Sequence, residues 1–160
     1  MKAMIFAAGL GTRLQPLTND RPKALVELGG ITLLERCIHR LIAFGINDVV
    51  INVHHFANMV EEFLQAHDNF GINIQISDER EMLMNTGGAI RHAKALLQGD
   101  ENILIVNVDI LSNLNIDTLL QQHQESGNLA TLVVRQRETS RYLLFSDKQL
   151  CGWKNIKTGE

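Results

Sequence analysis

The feature that most constrains this chain is the passage from its first apolar run into a glycine-rich loop. Ala3-Met4-Ile5-Phe6 leads directly into Ala7-Ala8-Gly9-Leu10-Gly11-Thr12-Arg13-Leu14-Gln15-Pro16-Leu17-Thr18, continued to Arg21-Pro22-Lys23. A short apolar run cut off by glycine reads as a buried strand opening into a tight turn. Two glycines let the backbone approach a ligand closely and point successive N–H groups at it, which suits a phosphate chain. Arg13 and Lys23 add two full positive charges to the same turn. A purely structural turn has no use for them, so the loop reads as an anion site.

The rest of the chain repeats the strand-then-helix theme. Val26-Glu27-Leu28 is a brief extended piece, Gly29-Gly30 a turn, and Thr32-Leu33-Leu34-Glu35 has the form of a capping box. Leu34, Ile38, Leu41 and Ile42 recur at helical spacing up to Gly45, and Val49 to Val53 is a second buried strand. Asn58, with Glu61 three places on, predicts the start of a second helix, and Ile72 to Ile76 alternates as a third strand. Thr86-Gly87-Gly88 opens a helix through Ile90, Ala93 and Leu97 to Gly99, and Ile103 to Val106 is a fourth strand ending at Asn107-Val108-Asp109. A helix from about Asp117 to Gly127, a fifth strand from Leu129 to Val134, and a hairpin with arms at Tyr142–Phe145 and Leu150–Trp153 complete the reading. Trp153 is expected in the hairpin's core. Alternating elements with apolar strands predict an α/β fold: a mostly parallel, Rossmann-like sheet with helices on both faces. Ligands bind such sheets at the carboxyl ends of the strands, where the Gly9 loop, the Thr86-Gly87-Gly88 helix start and Asp109 converge.

At 160 residues with 45% hydrophobic content, residues 1–160 are most simply one domain. A net charge of −3 offers no bulk attraction to nucleic acid or acidic membranes, so any anion binding must be local. Cys37 and Cys151 stand far apart without the pairing of a zinc site or a disulfide framework, and no run of about 18 apolar residues is available to span a bilayer. The expectation is a soluble cytoplasmic protein with no membrane or nucleic-acid partner.

Two familiar phosphate loops are excluded by spacing. The third glycine of a dinucleotide fingerprint would fall at Leu14, and the second strand ends in Val53-His54 without an acidic residue for a ribose. No Gly-Lys-Ser/Thr follows, as a Walker A loop requires. Neighbouring His54 and His55 on an extended chain point to opposite sides and make poor co-ligands for a metal. Asp78-Glu79-Arg80-Glu81 reads as a solvated loop leading to the site.

The stretch GLGTRLQPLTNDRPKALVELGG resembles the signature of the sugar-1-phosphate nucleotidyltransferases, Gly-x-Gly-Thr-Arg-Leu-x-Pro-Leu-Thr followed by Pro-Lys-x-Leu. The likeness continues through NDVVINVHHFANMVEEFL, NTGGAI and NVDIL, nearly the whole chain, and lies toward the short uridylyltransferase and guanylyltransferase members. The resemblance implies transfer of a nucleoside monophosphate from a nucleoside triphosphate, UTP or GTP first, to a sugar 1-phosphate. By the same resemblance Ala8, Gly9, Gly11, Thr12, Arg13, Lys23 and Gly87 bind the nucleotide, with Arg13 and Lys23 as the catalytic cations. Asp109 stands at the family's Mg²⁺ aspartate, and Asn107 is read either as a sugar-phosphate contact or as a structural side-chain cap. Val108 replaces a common glycine and Asn85 a residue that is often acidic. Family members of this type continue for tens of residues past the point where this chain stops, so the C-terminal part of the fold, with the sugar-binding half of the site and a second metal-binding aspartate, is expected to be missing. The alternative implied by that departure is a nucleotide-binding regulatory module without turnover. An apolar sheet left uncovered is a possible homo-oligomer surface.

Overall fold

The computed structural model describes residues 1–99 and 102–159. The chain divides into two compact units, Met1–Asp117 and Thr118–Glu160. The first is built on four parallel strands, β1 (Lys2–Phe6), β4 (Asp48–Val53), β5 (Asn73–Asp78) and β6 (Ile103–Asn107), in the order β5-β4-β1-β6. Between β1 and β4 lie a short antiparallel pair, β2 (Glu27–Leu28) with β3 (Ile31–Thr32), and helix α1 (Leu33–Ala43). Helix α2 (Ala57–Ala66) precedes β5, and α3 (Asn85–His92) with α4 (Lys94–Leu97) connects β5 to β6.

Central position explains the composition of β1 and β4. Ala3, Met4 and Ile5 pair with Val49, Val50 and Ile51, and all six are sealed from solvent because helices cover a central parallel strand on both sides. Met4 and Val50 pack with Ala89, Ala93 and Leu97 of the α3-α4 segment, flanked by Phe6, Met84 and Leu96. Fully burying one large aliphatic side chain is worth roughly 1.5–3 kcal/mol. The outer strands are less uniform than the sequence reading has them. β5 alternates, and β6 leaves Ile103 and Ile105 exposed, so the sheet is parallel as expected but only its centre is closed on both faces.

Helix boundaries follow their caps. Thr32 accepts the Glu35 amide at 3.1 Å, the expected N-cap of α1, and Gly45 at φ +71° closes that turn. Asn58 is not the cap of α2; Phe56, at φ +57°, holds that position, and Asn58 instead accepts from Arg80 at 2.9 Å. The helix predicted from Thr86 to Gly99 begins one residue earlier and breaks at Ala93 (ψ 3°), which separates α3 from α4.

The second unit contains most of helix α5 (Ile116–Ser126) and the hairpin of β7 (Arg141–Ser146) with β8 (Gln149–Asn155). Leu129 to Val134 does not form the expected fifth strand. No described strand pairs with it, and an apolar run without a ladder partner gains nothing from the extended form, so these residues stay irregular, with Leu129, Leu132, Val133 and Val134 exposed. Trp153 is likewise 52% exposed, since a two-stranded hairpin has no interior of its own. No described helix is long and apolar enough to cross a membrane.

Candidate functional site

The glycine loop leaves β1 and folds back on itself. Gly11 sits at φ +69°, ψ 15°, and its carbonyl accepts the Leu14 amide at 2.8 Å and the Thr18 hydroxyl at 2.9 Å. A single-turn 3₁₀ helix, Thr12–Leu14, is formed by this reversal. A Cβ on Gly11 would lie 2.9 Å from Thr18 Cγ2 and 3.1 Å from Lys23 Cβ, so both conformation and space require glycine. A Cβ on Gly9 would stand 3.5 Å from Lys23 Nζ, which shows the lysine running along the Gly9 backbone. Lys23 starts a second 3₁₀ turn, Lys23–Leu25, directly after Pro22 in extended conformation.

Asp109 arrives from the neighbouring strand. β6 is in register with β1 down to Asn107 opposite Phe6, and the Val108 amide reaches the Phe6 carbonyl at 3.3 Å. That pairing delivers Asp109 beside the loop, where Oδ2 meets Lys23 Nζ at 3.0 Å. The lysine side chain is 16% exposed and the aspartate 34%, so the pair is partly shielded yet reachable. Gly9, Leu10, Gly11, Thr12, Arg13, Leu14, Lys23, Leu83 and Asp109 line an open cleft of about 420 Å³. Arg13 is exposed at its rim. Val108 turns inward and is buried, leaving Asn107 and Asp109 on either side of it exposed.

Six of the residues singled out in the sequence therefore share one cleft: Gly9, Gly11, Thr12, Arg13, Lys23 and Asp109. Three do not line it. Ala8 is buried, and its amide already points at Asn52 Oδ1 at 3.4 Å. Gly87 lies in the first turn of α3, and from that side of the chain it is Leu83 that lines the cleft. Asn107 ends β6 beside the loop, and its carbonyl accepts the Ile110 amide at 3.2 Å. Among the described residues no three His, Cys, Asp or Glu side chains cluster as a metal cage.

Two residues behind the cleft were not singled out. Asn52, buried inside β4, accepts the Ala7 amide at 2.8 Å and donates to Glu79 Oε1 at 2.8 Å. Glu79 is not a solvated loop residue as its charged neighbours suggest; it is 1% exposed, and its Oε2 accepts the Met84 amide at 3.1 Å. A polar residue in the otherwise apolar run Val49-Val50-Ile51-Asn52-Val53 was the available signal for Asn52, because a buried amide must find partners. For Glu79 the sequence carried none: three of the four residues 78–81 are solvent-facing, and Arg80 bridges Asp78 and Glu61 at the surface at 2.6 and 2.7 Å.

The family model for nucleotidyl transferases matches residues 2–143. An N-acetylmuramate alpha-1-phosphate uridylyltransferase of Caulobacter vibrioides is 50% identical over 109 residues, 67% of this chain and 45% of that protein. A mannose-1-phosphate guanyltransferase of Gibberella zeae is 37% identical over 145 residues, 89% of this chain and 40% of that protein. The chain thus spans less than half the length of these two relatives. Among solved structures, one described as a glucose-1-phosphate thymidylyltransferase of Bacillus anthracis superposes with a TM-score of 0.81 over 98% of this chain and 64% of that one, a likeness of fold at 17% identity. A CTP:phosphocholine cytidylyltransferase of Streptococcus pneumoniae gives a TM-score of 0.56 at 34% identity, over 71% of this chain and 48% of that one.

Proposed function

The chain belongs to the nucleotidyl transferase family, and on that premise we propose that it forms the nucleotide-binding part of a sugar-1-phosphate nucleotidyltransferase. The reaction is attack of a sugar 1-phosphate oxygen on the α-phosphorus of a nucleoside triphosphate, with the bond to the β-phosphate oxygen breaking and pyrophosphate leaving. The observation that carries the reading is the meeting of Lys23 and Asp109, from distant parts of the chain, in a cleft floored by Gly9 and Gly11.

Chemistry of this type needs positioning and charge neutralisation more than a protein nucleophile. The bare backbone at Gly9 and Gly11 gives phosphates close access, and the following turn holds Arg13 over the same space. A permanently charged, planar guanidinium is suited to the pyrophosphate end of the triphosphate. Lys23 lies deeper, along Gly9, where an ammonium group can stabilise charge gathering on the α-phosphate as the bond breaks. In the free protein that ammonium is held by Asp109, so triphosphate binding exchanges a carboxylate partner for phosphate oxygens.

The donor set fits Mg²⁺ and not a soft metal. One accessible carboxylate with room beside it for phosphate oxygens and water matches that ion's preference, and no cysteine-histidine cage exists among the described residues. Asp109 would hold it, and when bound Mg²⁺ supplies neutralising charge to the phosphate oxygens. The names of the two relatives, a uridylyltransferase and a guanyltransferase of sugar 1-phosphates, favour UTP or GTP and a sugar 1-phosphate, and the cytidylyltransferase likeness adds phosphocholine as the acceptor to compare. Synthesis of nucleotide sugars for a cell-envelope polysaccharide in the cytoplasm is the setting we assign to such a protein.

The test is pyrophosphate release. The 160-residue protein, with any longer natural form that contains it, is incubated with each nucleoside triphosphate against a panel of sugar 1-phosphates and phosphocholine. One pair is expected to release pyrophosphate in a Lys23-dependent manner. No release by any form, or release unchanged by Lys23→Ala, contradicts the proposal. A nucleotide-induced rise in melting temperature with no pyrophosphate from any form supports the regulatory module instead.

A further inference from the structure

Glu79 is the one buried carboxylate among the described residues, and it is held by two uncharged donors. Withdrawing a carboxylate from water is costly, and an apolar side chain of similar volume would fill the same space without that cost. What an apolar residue cannot do is accept two N–H groups from different segments at once. Oε1 takes Asn52 Nδ2 at 2.8 Å, and Oε2 takes the Met84 amide at 3.1 Å. Asn52 in turn receives the amides of Ala7 at 2.8 Å and Ala8 at 3.4 Å on its Oδ1. One unbroken relay therefore runs from the residue before Gly9 to the residue after Leu83, and Gly9 and Leu83 both line the cleft.

Glu79 is itself fixed. Its amide donates to the Val53 carbonyl at 2.8 Å, while its own carbonyl accepts from Met82 at 3.1 Å and lies 2.6 Å from His54 Nδ1. We propose that Glu79 is a positioning residue which, through Asn52, locks the glycine loop and the Leu83-Met84 turn at one spacing, so that both walls of the cleft meet a nucleoside triphosphate together. The identity of the ligand rests on the function proposed above; the relay itself rests only on the hydrogen bonds.

The donor and acceptor pattern prescribes the test. In Glu79→Gln only one side-chain oxygen remains to serve two donors, so the link between the two walls is lost and both ends are freed to move. In Asn52→Asp two carboxylates face each other with no N–H between them. In the double variant Asn52→Asp/Glu79→Gln every bond can re-form: the aspartate accepts from Ala7 and from the glutamine Nε2, and the glutamine Oε1 accepts from Met84. Titration calorimetry with Mg²⁺-UTP and Mg²⁺-GTP, alongside amide hydrogen exchange of the ligand-free 160-residue chain, reads both ends. Each single substitution is expected to weaken nucleotide binding about tenfold and to speed exchange at Ala7, Ala8 and Met84, with the double variant within about twofold of the parent on both measures. Binding within twofold of the parent in a folded Glu79→Gln protein, exchange raised at only one end, or a folded double variant no better than the worse single one overturns the relay. Should the parent bind neither nucleotide, the proposed function has failed, and the exchange pattern at the two ends still decides for or against the relay.

Discussion

Gly11→Ala puts the geometry of the loop to a quantitative test. Gly11 has φ +69°, and an added Cβ would stand 2.9 Å from Thr18 Cγ2, 3.2 Å from Thr18 Cβ and 3.1 Å from Lys23 Cβ. Holding alanine in the left-handed region costs about 1–2 kcal/mol. Forcing a methyl into occupied space adds about 1–3 kcal/mol, because neither Thr18, buried and bonded to Gly11, nor the stem of Lys23 is a free-swinging chain end. The lower freedom of alanine in the unfolded chain returns about 0.4–1 kcal/mol. The net expectation is about 3 kcal/mol of destabilisation, or roughly 6–12 °C in Tm for a chain of this size. Gly30→Ala is the internal control: its φ is +76°, but nothing lies within 4 Å of the added methyl, so it bears the conformational cost alone, about 1 kcal/mol or less. Urea unfolding of both variants separates the two terms, and nucleotide titration shows whether Lys23 has been pushed from its place. Equal costs for Gly11→Ala and Gly30→Ala would refute the claim that the loop is packed against Thr18 and Lys23.

Three further outcomes follow from Thr18, which is buried, and Cys37, which is largely shielded. Thr18→Val keeps the shape but removes the hydroxyl that reaches the Gly11 carbonyl at 2.9 Å, and is expected to cost about 1 kcal/mol in urea unfolding; no measurable loss would show that the bond is replaced by water. Burial pushes the Cys37 thiol up to about 12, while Cys151 is exposed, so iodoacetamide at pH 8 should modify Cys151 rapidly and leave Cys37 intact until the protein unfolds. The same shift fixes the sign of a pH effect. Above about pH 9 the unfolded chain loses the Cys37 proton and the folded one keeps it, so stability falls with rising pH by up to about 1.4 kcal/mol per unit, a slope that Cys37→Ala should lack.

Much of this architecture was legible because local chemistry and tertiary demand agree. The runs at Ala3–Phe6 and Val49–Val53 became the central strands, and the Thr32–Glu35 cap sits where its pattern places it. The loop residues and Asp109 could be assembled from the sequence since parallel strands bring their carboxyl ends together. Failures occurred where the outcome depended on partners that a linear pattern does not contain. Leu129–Val134 has a strand's composition and no strand beside it, and Trp153 lies on a hairpin that nothing of its own covers. Glu79 shows the reverse case. Its neighbours Asp78 and Arg80 are solvent-facing, yet the alternation of an extended chain turns its own side chain inward to Asn52 and Met84.

The central claim is that the glycine loop and Asp109 form one nucleoside triphosphate site in which Lys23 changes partners on binding. Titration calorimetry of the 160-residue chain with UTP and GTP, in the presence and absence of Mg²⁺, tests it directly when repeated on Arg13→Ala and Lys23→Ala. Saturable, Mg²⁺-enhanced binding of at least one of the two nucleotides is expected, weakened at least tenfold by either substitution. Binding that ignores Mg²⁺ and survives both substitutions, or no binding of either nucleotide, would contradict it.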